Sequence, residues 1–289
     1  MSNTAITSSG EELSRVVVER LVRAALEEDL AGGDLTTEAC IEAEARAVAF
    51  GVARTTLVFA GSSVAEAAFR LVSPETIFEA HVSDGDEVQA GTKLFTVRGS
   101  ARALLMAERT ALNFIQRMSG IATLSRRYVS KVPAGKKTRI ADTRKTTPGL
   151  RVLERYSVRK GGASNHRDNL GSAVLIKDNH IKAAGSITNA ISRAKVRSPH
   201  TSRIECEVTN QTELAEALAA GADIIMLDNM TNDEVALSIA LNEGRAILEA
   251  SGGITLERIT ELANLGIDVI SVGALTHSAP SADIALDFE

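Results

Sequence analysis

Apolar residues fall into two rhythms along this chain. From Glu12 to Leu30, Leu13, Val16, Val17, Leu21, Ala24 and Leu26 recur at helical spacing, and Gly32-Gly33 stops the predicted helix. Residues 1–10 are polar and expected to fray, and Asp34-Leu35-Thr36-Thr37 offers a cap for the element that follows. Residues 45–60 read as two short strands and 63–71 as a helix. Residues 76–82 and 93–97 read as further strands, with a tight turn at Asp84-Gly85-Asp86. A long helix begins near Ala101, with Leu104, Leu105, Leu112, Ile115, Met118 and Ala122 on one face. Gly120 is where it would break or kink. Arg109 falls at the edge of the apolar stripe, and periodicity alone gives it no role.

From Arg139 the rhythm changes. Short apolar runs at 139–143, 173–178, 203–208, 223–229, 247–253 and 269–275 each end in polar or small residues. Helical patterns over 150–160, 186–197, 211–220, 231–243 and 255–265 separate them. Such alternation implies right-handed crossovers and a parallel sheet. Six or so units in a row, ending in Gly-rich turns, favour an α/β barrel of about six to seven strands over an open doubly wound sheet. The near-repeat Ala-Gly-Ala-Asp-Ile-Ile-Met (220–226) and Leu-Gly-Ile-Asp-Val-Ile-Ser (265–271) supplies helix-to-strand punctuation for such a barrel. The division expected is 1–120 for an N-terminal α/β domain, completed by 276–289, and 121–275 for the barrel.

Bulk properties narrow the function. At 289 residues, with ordinary apolar and charged content, the chain can hold one large domain or two moderate ones. Aromatics make up only 3% and Trp is absent, which argues against a single-strand nucleic-acid binder. Cys40 and Cys206 form no metal or disulfide spacing and suit a reducing compartment. The start MSNTAITSSG lacks a basic, then apolar, leader, and no apolar run is long enough to span a bilayer. The expectation is a cytoplasmic protein with no membrane and no nucleic-acid partner. Net charge is −5, yet residues 136–182 hold twelve Lys and Arg against four Asp and Glu. Positive charge concentrated there points to an anionic ligand.

In a parallel barrel the C-terminal strand ends share one face, where active sites sit. Those ends carry Asp142, Arg144 and Lys145; Lys177 and Asp178; Glu207; Asp228 and Asn229; Ser251-Gly252-Gly253; and Gly273-Ala274. Arg144, Lys145, Arg167, Lys177 and His166 can bind carboxylates or phosphates. Glu207 and Asp228 can hydrogen-bond a sugar, hold a hard divalent ion or stabilise developing positive charge. The loops at 251–253 and 272–274 can bring backbone amides to a phosphate. Each feature has a plainer reading. Asp228 could cap the next helix, His166 could be a satisfied loop histidine, and Glu205 and Glu207 could be a structural pair inside the barrel. The joint occurrence at consecutive strand ends favours a site in which a cationic wall faces two acids. That suits chemistry passing through a cationic sugar.

Several motifs resemble the quinolinate phosphoribosyltransferase family: GGDLTT (32–37), ERTALNFIQRMSGIAT (108–123), DTRKTTPGLRVLERYSVRKGG (142–162), NHRDNLGSAVLIKDNH (165–180), IECEV (204–208), MLDNM (226–230), EASGGI (249–254) and ISVGALTH (270–277). Departures are small: Ala141, Ala163 and Asn169 replace other uncharged residues. The resemblance implies an N-terminal open-faced α/β sandwich beside the barrel. It implies a pentosyltransferase that combines quinolinate with phosphoribosyl pyrophosphate, giving nicotinate mononucleotide, pyrophosphate and carbon dioxide for NAD biosynthesis. It implies Mg2+, held with Glu207 and Asp228. Arg109, Thr143, Arg144, Lys145, His166, Arg167 and Lys177 would line the quinolinate pocket, with Arg109 reaching across a homodimer that could assemble further. Glu207, Asp228, Ser251, Gly252, Gly253, Val272, Gly273 and Ala274 would hold the phosphoribosyl group, and Lys145, Lys177, Glu207 and Asp228 would act in catalysis. A Schiff-base aldolase using Lys145 or Lys177 is the rival enzyme, and an RNA-binding module the rival non-enzyme.

Overall fold

The computed structural model describes residues 12–289. The expected frayed start, residues 1–10, lies outside them. In chain order the elements are α1 (Arg15–Leu30), α2 (Leu35–Cys40), β1 (Arg46–Ala53), β2 (Leu57–Val58), α3 (Ser62–Val72), β3 (Ile77–Ala80), β4 (Glu87–Val88), β5 (Lys93–Ser100) and α4 (Ala101–Val129). Next come β6 (Arg139–Ala141), α5 (Arg151–Lys160), β7 (Val174–Ile176), α6 (Asp178–Ala184), α7 (Ile187–Arg197), β8 (Ile204–Val208) and α8 (Gln211–Ala219). The chain finishes with β9 (Ile224–Asp228), α9 (Asn232–Asn242), β10 (Ile247–Ser251), α10 (Leu256–Leu265), β11 (Val269–Ser271), α11 (Ala274–His277) and β12 (Ile284–Phe288).

These elements sort into two units. The first takes the described residues up to Leu124, with Thr147–Gly162 and Ala279–Glu289. Its antiparallel sheet has the order β12-β1-β5-β3, and β2 pairs with β4 apart from it. Val22 of α1, Val64 and Phe69 of α3, and Leu104 and Ile115 of α4 join one apolar cluster with Ala49, Phe95 and Val97 of the sheet. Helix α5 counts with this unit, although its sequence falls in the stretch expected to form the barrel. Its Glu154, 1% exposed, ties it to α4 through Arg117 and holds Thr147 at both its N–H and its hydroxyl.

Helix α4 does not break at Gly120. Glycine serves close approach instead: a Cβ there would stand 2.0 Å from the Pro280 carbonyl oxygen. The segment 279–284 lies along the helix, with Ala282 N–H donating to Gln116 O (2.9 Å) and Gln116 Nε2 to Ile284 O (2.8 Å).

The second unit comprises Ser125–Thr146 and Ala163–Ser278. It is an α/β-barrel-like fold whose six parallel strands run in the order β6-β11-β10-β9-β8-β7. Ser164 adds a parallel bridge to Ala141 on the free edge of β6. Among the described residues no ladder joins Ser164 to the free edge of β7, so backbone pairing leaves one seam. The near-repeats have a further use: Asp223 and Asp268 each accept a hydrogen bond at the start of a neighbouring strand, from Ile204 N (2.7 Å) and Leu248 N (2.9 Å). Helix α6 was not expected. His180 closes its first turn, with Nδ1 accepting from Lys177 N at 2.9 Å. Among the described residues no helix is long and apolar enough to cross a membrane.

Candidate active site

Strand register decides which side chains share a face. Glu207 stands opposite Met226, Met226 opposite Glu249, Asp228 opposite Ser251, and Ser271 opposite Ala141. Because side chains alternate along a strand, Glu205, Glu207, Asp228, Glu249, Ser251 and Ser271 all project to one side. The other side, with Ile204, Cys206, Val208, Ile225, Leu227, Leu248, Ala250 and Ile270, is apolar and buried. The polar groups of this sheet therefore converge on a single surface.

The cationic wall stands on the loops after β6 and before β7. Arg144 and Arg167 are close enough for Arg144 to help lower the pKa of Arg167, after burial, which is the larger cause. Arg167 Nη1 donates to Ala173 O at 3.0 Å, and Arg144 Nε is buried without a hydrogen-bond partner among the described residues. Thr143 Oγ1 accepts from Lys145 N at 3.1 Å, and the Thr276 hydroxyl donates to Lys145 O at 2.8 Å, which joins the Lys145 loop to 273–276.

His166 is engaged at both ring nitrogens. Nδ1 accepts the Arg167 N–H at 2.8 Å. Nε2 lies 3.3 Å from Glu205 Oε2 and 3.5 Å from Glu249 Oε1. Burial opposes a charge on the ring, while the two carboxylates favour a proton on Nε2. Burial and the charge of Glu249 push Glu205 upward, against the pull of His166 and Arg167. The three ligand atoms lie within 4.8 Å of one another, a spacing that could admit a cation. With Nδ1 as acceptor, however, the ring proton sits on Nε2 and points at both acids, so the trio is a hydrogen-bonded one rather than a ligand set.

Glu207, on the same face, accepts from Lys177 Nζ. Asp228 is not the cap of α9: Thr231 is, through a reciprocal capping box with Glu234. Asp228 instead accepts from Asn229 Nδ2 at 2.9 Å. Asn229 (φ 55°) donates its N–H to Ser251 O, and its side chain leaves no room for a Cβ on Gly252 (φ 87°). The phosphate-loop candidates 251–253 thus adjoin Asp228, as the sequence suggested. Arg109 belongs to the first unit: it is on α4, lining a cleft of about 440 Å3 with Leu21, Phe114, Met118 and Leu153.

Two groups escaped the sequence reading as site residues, Glu249 and Asn165. Asp142, noted at its strand end, is fully buried and accepts from His166 N and Asn165 Nδ2 at 2.7 Å each. Strand alternation carried the signal for Glu249, two residues before Ser251.

Family models described as quinolinate phosphoribosyl transferase, N-terminal domain and C-terminal domain, match residues 34–119 and 121–287. The chain is 42% identical over 275 residues to a probable nicotinate-nucleotide pyrophosphorylase [carboxylating] of Bacillus subtilis, covering 95% of this chain and 94% of that protein. It is 41% identical over 274 residues to the nicotinate-nucleotide pyrophosphorylase [carboxylating] of Mycobacterium leprae, covering 92% and 95%. Among solved structures, the nicotinate-nucleotide pyrophosphorylase of Francisella tularensis superposes with a TM-score of 0.91 at 38% identity, covering 96% of this chain and 98% of that one. NadC of Streptococcus pyogenes does so with a TM-score of 0.92 at 39% identity, covering 96% and 99%.

Proposed function

We infer the activity from one premise: the chain belongs to the quinolinate phosphoribosyltransferase family. It is a pentosyltransferase that moves the phosphoribosyl group of phosphoribosyl pyrophosphate to quinolinate and releases pyrophosphate and carbon dioxide. The observation that carries this reading is the one-sided polar surface, cations on the flanking loops and acids on the strands, in a chain of that family.

Quinolinate carries two adjacent carboxylates, and Arg144, Arg167, Lys145 and Lys177 with the His166 loop form the clamp that would hold them. The clamp sets the pyridine nitrogen against C1 of the ribose, and positioning supplies much of the rate. The nitrogen lone pair forms the new bond to C1 while the C1–oxygen bond breaks, and its electron pair leaves with pyrophosphate. Glu207 and Asp228 face the positive charge that develops on the sugar. The amides of Ser251–Gly253 and of 272–274 would receive the 5′-phosphate. The product nitrogen is quaternary. The adjacent carboxylate departs as carbon dioxide, its bonding electrons remain on the ring carbon beside that nitrogen, and a proton from water takes its place.

Magnesium fits the donor set. Glu207 and Asp228 sit on neighbouring strands and one face, and they offer the hard oxygens that this ion takes alongside substrate phosphates. When bound it would neutralise charge on the departing pyrophosphate. Arg109 would act across a homodimer, and the compartment consistent with these substrates is the cytoplasm. An aldolase is disfavoured, because Lys177 is half exposed and paired with Glu207, and Lys145 is exposed, so neither sits in the apolar pocket a Schiff base needs. The test is release of labelled carbon dioxide from carboxyl-labelled quinolinate. Release that requires both phosphoribosyl pyrophosphate and magnesium is expected, and release independent of the former would refute the reading.

A further inference from the structure

Backbone pairing stops at the seam between Ser164 and β7, and side chains span it instead. Asp142 holds the backbone of His166 and the amide of Asn165. The His166 ring holds the backbone N–H of Arg167. The guanidinium of Arg167 reaches Ala173 O, just ahead of β7. Behind the ring stand Glu205 and Glu249, each 4% exposed, with Oε2 of the one and Oε1 of the other turned to Nε2. Burying two carboxylates on one imidazole is costly where a single acceptor would fix the ring. Their placement makes sense beside Arg144 and Arg167, two cations held close together before any dicarboxylate arrives. Burial lowers the pKa of Arg167, Arg144 lowers it further by repulsion, and Glu205 offsets part of that. The ring itself has no nitrogen left to offer a ligand, since Nδ1 is an acceptor and Nε2 is committed to the acids.

We propose that Glu249 and Glu205 are positioning residues for the anion clamp, which act through His166 to fix Arg167 beside Arg144. This rests on the quinolinate reading of the cationic wall. The two acids touch neither substrate. Their effect reaches the dicarboxylate site through a single imidazole, and the phosphoribosyl side, built on Glu207, Asp228 and 251–253, does not hang on that relay.

The experiment compares steady-state kinetics of the full-length protein and its Glu249→Gln, His166→Asn and doubly substituted forms, with melting curves for each. His166→Asn keeps a side-chain acceptor near the Nδ1 position and removes the group that meets the acids. For Glu249→Gln, KM for quinolinate rises about tenfold while KM for phosphoribosyl pyrophosphate and kcat stay within about threefold; in the His166→Asn background the same substitution adds nothing, as coupled residues require. Equal changes in both KM values, no change, or an effect that persists without His166 would overturn the proposal. If Glu249→Gln melts below the assay temperature, Glu205→Gln is read in the same way. If both unfold, the acids are fold stabilisers and the inference is wrong. A wild-type protein that fails to turn over the two substrates refutes the activity itself, a result distinct from all of these.

Discussion

Replacing Glu154 with alanine should destabilise the first unit by about 3 kcal/mol, the low end of what losing one partner of a buried ion pair costs. The carboxylate is 1% exposed and accepts four hydrogen bonds: from Arg117 Nη2 (2.8 Å) and Nε (3.2 Å), and from Thr147 Oγ1 (2.7 Å) and N (3.0 Å). Alanine strands the Arg117 charge and an amide donor. The low end applies because the Arg117 side chain is 26% exposed and keeps its bond to Ala279 O, so water can reach part of it. Urea denaturation can read the loss. The chain has no Trp and two Tyr, and Tyr156 belongs to the first unit, so in a Tyr128→Phe background its emission reports that unit alone. At a typical urea slope the midpoint should fall by roughly 1 M or more. Pairing Arg117→Met with Glu154→Leu should recover at least half of the loss, because an apolar pair leaves no buried charge. A Glu154→Ala midpoint within about 0.3 M of wild type would mean that the pair contributes little, contrary to its burial.

Arg144→Ala should raise KM for quinolinate at least tenfold, since hydrogen bonds to charged groups contribute about 1.5–3 kcal/mol, and leave KM for phosphoribosyl pyrophosphate nearly unchanged; steady-state kinetics with each substrate varied checks it, and equal losses contradict the clamp. Asp228→Asn should lower kcat about a hundredfold, as removal of a preorganised charge does, with quinolinate affinity by calorimetry intact. An unaltered kcat would remove Asp228 from the chemistry. Mixing inactive Arg109→Ala and inactive Lys177→Ala subunits should restore about a quarter of wild-type turnover if each site of a two-fold dimer borrows one arginine. No recovery after verified subunit exchange would place Arg109 in its own subunit's machinery or outside it.

The alternation of strands and helices after Arg139 was legible because burial on the helix-covered side writes itself as apolar runs, and all six expected strands stand where those runs lie. Arg144, Arg167, Lys177, Glu207 and Asp228 were legible as strand-end charges, and the structure gathers them in one unit. What escaped depends on partners distant in sequence. Gly120 looked like a helix breaker because nothing local discloses that Pro280 presses against it. Glu249 looked like one more strand residue, since its meaning comes from His166 on a distant loop. Helix α6 followed an apolar run too closely to be told from a strand end, and its cap uses a histidine rather than the usual short polar residues. Asp228 was ambiguous until Thr231 proved to be the cap of α9.

The antiparallel sheet draws β1 and β12 from opposite parts of the polypeptide: Arg54 and Asp287, an ion pair across it, are 233 positions apart. During synthesis at up to about 20 residues per second, β1 waits roughly 12 s or longer for its neighbour. Almost all of the barrel-like unit has left the ribosome by then. For that interval β1 presents an unsatisfied strand edge of the kind that recruits other chains. A message cut short before codon 284 would therefore yield a sticky nascent product rather than a partly working enzyme.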